Sequence, residues 1–278
     1  MTISNTIFQF DFKKLNSKNQ VTDLSGNNVF TNQGTCSIYE DTFMGNCMKF
    51  PGGTGTSPMD GNYLLSESLQ SQHIDVSAGL TLSTMVKLNS FGKYSCFSCI
   101  GSTALQNIIV FQLHDTIDGS FIYTHVDAAG NMSRTTVDSA HNLKLNTWYH
   151  LAVTVPADGS SAQLYINGSP VSSTDTKTGS TINFLPAAGD SLFQHHEYIG
   201  GGNHNHVYPT LDGYMAWTAF YNKELGATEI NKDMELASAN RNRSFQKTFP
   251  VDFLLTSDYE GDHVPALYLE GKGTGQKL

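Results

Sequence analysis

The sequence predicts an all-β fold, an antiparallel β-sandwich with one short helix near residues 227–238. Three observations carry that prediction. Apolar and polar residues alternate along most of the chain, turn residues interrupt the alternation at short intervals, and a helical period appears with any strength only once. Alternation puts successive side chains on opposite faces of a strand. Short strands punctuated by Gly, Asn and Asp turns mark sandwiches and barrels.

The chain opens as a strand, with Phe8, Phe10 and Phe12 on one face. Cys36 and Cys47 flank the turn-like segment TFMGN, which would place them on paired strands within reach of a disulfide. Residues 52–61 (GGTGTSPMDG) read as a loop. Leu80, Leu82, Val86 and Leu88 share one face, opposite Thr81, Ser83 and Lys87, the pattern of a half-buried strand. The longest apolar run, around 108–111, is only strand-sized. Tyr149, Leu151, Val153 and Val155 oppose His150 and Thr154. A Pro156-Ala157-Asp158-Gly159 turn then leads to Leu164 and Ile166, which oppose Gln163 and Tyr165. Asn167-Gly168 supplies the left-handed residues of a tight hairpin, and 172–180 reads as a loop.

A Gly-rich stretch at 200–202 precedes a long strand over 211–221, with Met215 and Trp217 expected on one face. Gly213 lets this strand start against another backbone, since it has no side chain in the way. Thr228 is the expected cap of the helix, whose apolar side includes Ile230 and Met234. The expected sandwich spans 1–240. Residues 241–278 form an extension too short for its own core, expected to pack back on the sandwich or to serve in assembly.

The net charge of −9 comes with few, scattered Lys and Arg and no basic stripe. That argues against nucleic acid as a partner and against anionic membrane surfaces. No apolar run approaches the ~20 residues of a membrane span. The first residues lack a basic stretch followed by an apolar core. Action at the cell surface or outside the cell is nonetheless the expectation. Cys96-x-x-Cys99 has no second CxxC and no helix after it, so all four cysteines read as structural, as thiols or as disulfides.

Seven stretches, in order, carry a resemblance: Asp23-Leu24-Ser25-Gly26-Asn27, Cys47-Met48-Lys49-Phe50-Pro51-Gly52, Leu80 to Lys87, Thr147-Trp148-Tyr149-His150-Leu151-Ala152, Leu164-Tyr165-Ile166-Asn167-Gly168, Leu211-Asp212-Gly213-Tyr214-Met215, and Leu225 to Ile230. The series resembles the laminin-G-like, concanavalin A-like jelly roll over most of the chain. Met85 departs from it, standing where that family often has tryptophan. The resemblance implies two curved sheets, with ligand sites on the concave face or in the rim loops. It leaves function open, because the fold hosts lectins, hydrolases, lyases and adhesion modules.

His195, His196, His204 and His206 fall within twelve residues around the glycines at 200–202. His204 and His206 would share a side on a strand, and His195 or His196 could complete a transition-metal site. The same region suits sugar, which needs an aromatic ring for its C–H face and polar groups for its hydroxyls. Asn203, His204, His206, Tyr208 and Asp212 offer that mixture, and Tyr94, Phe97, Tyr123 and His125 could add to a concave face. Calcium, which the resemblance suggests, would draw on Asp60, Asn62 and Asp212. No pair of carboxylates stands at the spacing of a glycosidase strand. Gln112-Leu113-His114 matches one strand of jelly-roll polysaccharide lyases, but Arg134 stands alone, and Tyr214 and Tyr221 lack the expected neighbours. Asn131, Asn167 and Asn242 head N-glycosylation triplets, which matter only in a secretory setting.

The leading expectation is therefore a non-catalytic, lectin-like protein that grips glycans through rim loops, with repetition in a homo-oligomer supplying avidity. An assembly or adhesion component, of toxin-complex or virion type, and a polysaccharide-active enzyme are the alternatives.

Overall fold

The computed structural model describes residues 3–53, 62–66, 76–101, 108–127, 129–159, 161–178, 197–199 and 210–239. Within these residues the alternating runs become two antiparallel sheets stacked face to face. The first sheet contains β1 (Thr6–Phe10), β4 (Ser37–Asp41), β5 (Gly45–Pro51), β7 (Leu80–Leu88), β12 (Trp148–Val155), β13 (Gln163–Ile166), β14 (Ser169–Pro170) and β17 (Asp212–Tyr221). Its order is β14-β13-β12-β7-β17-β5-β4, with β1 also on β17. The second contains β2 (Gln20–Thr22), β3 (Val29–Gln33), β6 (Tyr63–Ser66), β8 (Cys96–Gly101), β9 (Ile108–Leu113), β10 (Phe121–Val126), β11 (Met132–Val137), β15 (Ser173–Thr178) and β16 (Glu197–Ile199). These run in the order β15-β11-β10-β9-β8-β16-β6-β3-β2.

The apolar faces meet as the sequence predicts. Phe8, Phe10, Phe12, Leu80, Leu82, Val86, Leu88, Leu151, Val153, Val155 and Leu164 form one core with Phe97, Ile109, Phe111, Phe121 and Tyr123 of the second sheet. Phe10 meets Phe30 edge-on at 4.7 Å between ring centres, a geometry that lets a ring edge face a ring π-cloud.

The opposite face of the first sheet is not half-exposed as the alternation implies. Helix α1 (Ala227–Ser238) lies across it, and a second cluster forms there from Met85, Trp217, Ala219, Tyr221, Leu225, Ile230 and Ala237. The helix is capped by Gly226, two residues before the expected Thr228. Glu229 supplies the reciprocal contact, its carboxylate accepting from the Gly226 backbone N–H at 3.3 Å.

Met215 and Trp217 take opposite faces, contrary to the simple alternation. A β-bulge lies between them, so Met215 opposes Val86 while Trp217 opposes Met85. The extra residue flips the phase of the strand, sending Met215 into the inter-sheet core and Trp217 under the helix. The other edge of β17 is shared by two partners, with 212–215 pairing β5 and 218–221 pairing β1. The predicted loop at 172–180 contains edge strand β15, in register with β11 from Val137↔Ser173 to Met132↔Thr178. Its polar sequence fits an edge that faces solvent.

Cys36 and Cys47 do not bridge. Cys36 belongs to the inter-sheet core and Cys47 to the cluster beneath the helix, on opposite faces of the first sheet. None of the four cysteines is in a disulfide, and all are buried. Burial pushes the thiols of Cys36 and Cys47 up to about 12, so they are packing groups rather than nucleophiles.

Two glycines behave as the sequence requires. Asn167 and Gly168 both have positive φ, 50° and 81°, and a Cβ on Gly168 would stand 2.3 Å from Asn231 Oδ1 of the helix. A Cβ on Gly213 would stand 2.4 Å from the Lys87 carbonyl oxygen. Gly213→Ala is expected to lower stability by about 2 kcal/mol through this backbone clash, read as a reduced denaturation midpoint. The extension at 241–278 lies outside the described residues.

Candidate functional site: an aromatic row on the helix-bearing sheet

Where α1 does not reach, the outer face of the first sheet carries a row of side chains in strict register. Tyr214 on β17 stands opposite Lys49 on β5 and Lys87 on β7. Lys49 in turn opposes Ser37 on β4, and Lys87 opposes Trp148 on β12. Directly opposed residues on one face lie close enough to interact. The row therefore crosses five strands as Ser37, Lys49, Tyr214, Lys87 and Trp148. Tyr39, two residues along β4 on the same face, reaches over to Tyr214, with ring centres 4.8 Å apart and planes tilted by 42°.

One half of this row is a closed electrostatic unit. The Lys87 ammonium pairs with the Asp41 carboxylate and sits 4.6 Å from the Tyr214 ring centre and 5.2 Å from that of Trp148. A cation over aromatic faces gains from their quadrupoles, more so when partly desolvated. Asp41 also accepts from the backbone N–H groups of Phe43 at 2.8 Å and Met44 at 2.9 Å, and from Trp148 Nε1 at 3.3 Å. Burial alone would raise its carboxyl, but the hydrogen bonds from Lys87, Met44 and Phe43 outweigh that and hold it below the ordinary carboxylate range. This arrangement fixes the undersides of the Tyr214 and Trp148 rings.

The other half is open. Tyr39 is 41% exposed, although it is large and apolar. Tyr214, Lys49 and Ser37 are half-buried or exposed beside it. One step along β17, Asp212 faces the same side. It accepts from Asn89 Nδ2 at 3.0 Å and from Ser90 Oγ at 2.6 Å. Two rings on rigid strands, edged by an amine, hydroxyls, a carboxamide and a carboxylate, can stack on a C–H face and exchange hydrogen bonds with hydroxyls.

The predicted site residues divide accordingly. Asp212 borders this row. Asn62 braces the fold, its carboxamide oxygen accepting from Thr35 N at 3.0 Å and Oγ1 at 2.9 Å while its nitrogen donates to the Gly52 carbonyl at 2.7 Å. Asp60, His195, His196, Asn203, His204, His206 and Tyr208 lie outside the described residues. Among the described residues no cluster of three or more His, Cys, Asp and Glu could hold a metal.

Phe97, Tyr123 and His125 do not line an open face. Phe97 and Tyr123 are in the inter-sheet core, and His125 is fully buried. Their strand neighbours Cys96, Ser98, Ile122, Thr124 and Val126 are buried as well, so neither β8 nor β10 offers an open face there. Tyr94 sits in a turn at positive φ and donates to Asp115 at 2.9 Å. Two of the sequons use their asparagines structurally: Asn131 donates to Asp127 at 3.0 Å, and Asn167 accepts from His150 N at 3.0 Å.

The lyase-like residues do not converge. Gln112 is buried on β9, His114 falls past its end and contacts Asp115 at 2.9 Å, and Tyr214 and Tyr221 belong to the other sheet. Sequence reasoning missed Tyr39 and Lys49. Alternation in SIYED and GNCMKFP could place them on strand faces, but nothing local reveals that β17 brings Tyr214 between them.

A profile of the concanavalin A-like lectin/glucanases superfamily, laminin G type, matches residues 60–231, more than half of the sequence. The chain belongs to this superfamily. No curated protein sequence matches it. Among solved structures, domain 4 of the GH43 extracellular arabinanase AbnA from Geobacillus stearothermophilus, in complex with arabinotriose, is similar with a TM-score of 0.55 and 15% identity, over 82% of this chain and 97% of that domain. The binding domain of Paraclostridial Mosquitocidal Protein 1 gives 0.55 and 15%, over 83% of this chain and 52% of that one. The binding domain of botulinum neurotoxin serotype C1 gives 0.57 and 13%, over 86% and 53%. This superfamily member thus spans about half the length of those toxin domains. At these identities the likeness is one of fold.

Proposed function

We propose that the protein is a non-catalytic binding module for glycans, and that the described part of its binding surface is the open half of the aromatic row. The observation that carries this reading is the exposed Tyr39 ring held against Tyr214 on adjoining parts of a rigid sheet. A sugar ring would lie on these two faces, with its hydroxyls directed to Asp212, Asn89, Ser90 and Ser37. A fold neighbour whose structure is in complex with arabinotriose supports the class of ligand. Asn203, His204, His206 and Tyr208, which precede Asp212 in sequence, belong to the proposal as further hydroxyl partners. So does a metal, calcium at Asp60 or a transition metal at His195, His204 and His206.

The test is a glycan array followed by titration calorimetry on hits. Tyr39→Ala is expected to weaken binding about tenfold, since one stacked ring contributes on the order of 1 kcal/mol or more. Its melting temperature should move little, because Tyr39 is on edge strand β4 and belongs to neither apolar core. An array with no hits, with and without added calcium and zinc, overturns the reading. Loss of binding in EDTA would assign a metal to it.

A further inference from the structure

The row also carries information on which glycans it would take. Two lysines flank Tyr214 in register, and they differ in one respect. Lys87 is neutralised by Asp41. Lys49 is half-buried between Ser37 and Tyr214, and the ion pairs among the described residues do not include it. Asp212, a second carboxylate on this face, accepts from Asn89 and Ser90, which follow β7 on the side away from β4. The Tyr39 side of the platform therefore carries, on the strand between the two tyrosines, an amine without a counter-ion among the described residues. A strand residue with three N–H donors and no acceptor in this place suits an anion attached to the stacked ring.

We infer that the Tyr39–Tyr214 platform, if it binds glycans as proposed above, selects a sugar that carries a carboxylate, with that carboxylate on the Lys49 ammonium and the C–H face of the ring on the two tyrosines. The inference rests on the glycan-binding reading and narrows it to uronic- or sialic-acid-type residues. The protein's overall charge of −9 repels such ligands at long range, so the preference has to come from local contact. A contact pair is screened less by salt than a long-range field.

The experiment uses the full chain and matched probes. Digalacturonate is compared with its methyl ester, which keeps the shape and removes the charge, and sialyllactose is compared with lactose. In calorimetry at low salt, one or other acid is expected to bind at least about tenfold tighter than its neutral partner. Lys49→Met should abolish that preference, weakening the acid far more than its neutral partner, and Lys49→Arg should retain it. Tyr39→Ala should weaken both members of a pair alike. Lys49→Met is expected to melt with the parent protein, which excludes a folding defect.

Equal binding of acid and neutral probes, array hits confined to neutral glycans, or a preference that survives in Lys49→Met would overturn the inference and leave the glycan reading standing. Absence of any glycan binding would overturn both. A preference for sialyllactose alone or digalacturonate alone identifies which acid the platform holds.

Discussion

Replacing Asp233 with alanine is expected to cost about 4 kcal/mol of folding stability, among the largest effects of any single substitution here. Asp233 is on α1, and its carboxylate is fully buried. One oxygen lies 2.8 Å from His150 Nε2. The other accepts from Trp217 Nε1 at 3.2 Å and from the Tyr221 hydroxyl. Tyr221 in turn accepts from Gln9 Nε2 at 2.7 Å, so a polar network runs from β1 through β17 and the helix to β12. Removing its central acceptor leaves three buried groups without that partner, and each stranded group costs about 1–3 kcal/mol. Burial, with Asp233 beside it, already pushes the Tyr221 hydroxyl far above its ordinary range, so it stays a neutral donor. Asp233→Asn retains one acceptor oxygen and should cost roughly half as much. Urea denaturation gives the values, and hydrogen exchange of the 227–238 amides reports whether the helix detaches first. A loss below 1 kcal/mol, with helix protection unchanged, would show that apolar packing of Ile230 and Ala237 alone seats the helix.

The sequence shows why this network stays hidden until the fold is known. His150 and Thr154 read as the polar side of a half-buried strand, because alternation distinguishes two faces without saying what covers the second. The helix signal around Ile230 was legible, and so was its apolar side. An aspartate amid that helix reads as solvated until the helix is laid over β12 and β17. His150 and Asp233 are 83 positions apart, and the intervening sequence carries no local trace of the contact. By contrast, the paired sheets, the Asn167-Gly168 hairpin and the close approach at Gly213 follow from short-range chemistry, and the structure has all three.

The candidate site was partly legible for the same reason. Asp212 and Tyr214 lie in a stretch whose turn and strand are written locally. Tyr39 and Lys49 join them only through the order β17-β5-β4, a long-range pairing. The single bulge at Met215/Trp217 shows how little is needed to mislead. One extra residue reverses the phase, so a tryptophan expected beside Met215 becomes the floor of the helix instead.

Lowering the pH from about 6.5 to about 4 is expected to remove roughly 3 kcal/mol of stability through His125 alone. His125 is on β10, opposite Ile109 and Ser133, and points into the sandwich with no exposed surface. Burial lowers its imidazole from the usual 6.5 to about 4, and the neighbouring Asp127 carboxylate offsets only part of that. The direction follows from proton counting. Between pH 6.5 and 4 the unfolded chain holds a proton on this ring and the folded chain does not, so acid favours unfolding. The stabilisation is complete above 6.5, falls steadily as pH drops through the window, and levels off below the folded value. The buried or hydrogen-bonded carboxyls of Asp41, Asp115, Asp118 and Glu229 sit below their ordinary values. Their losses begin near pH ~5 and continue to lower pH, so the stretch from ~6.5 to ~5 reports the imidazole separately from them. The measurement is urea stability at half-unit steps from pH 7.5 to 4 for the parent and for His125→Gln, whose amide does not titrate. The parent should lose stability with a slope approaching one proton across the window. The variant starts lower at pH 7.5, from imperfect packing, and should show a slope smaller by that one proton. Parallel curves would mean that the imidazole is protonated inside the fold, with Asp127 neutralising it.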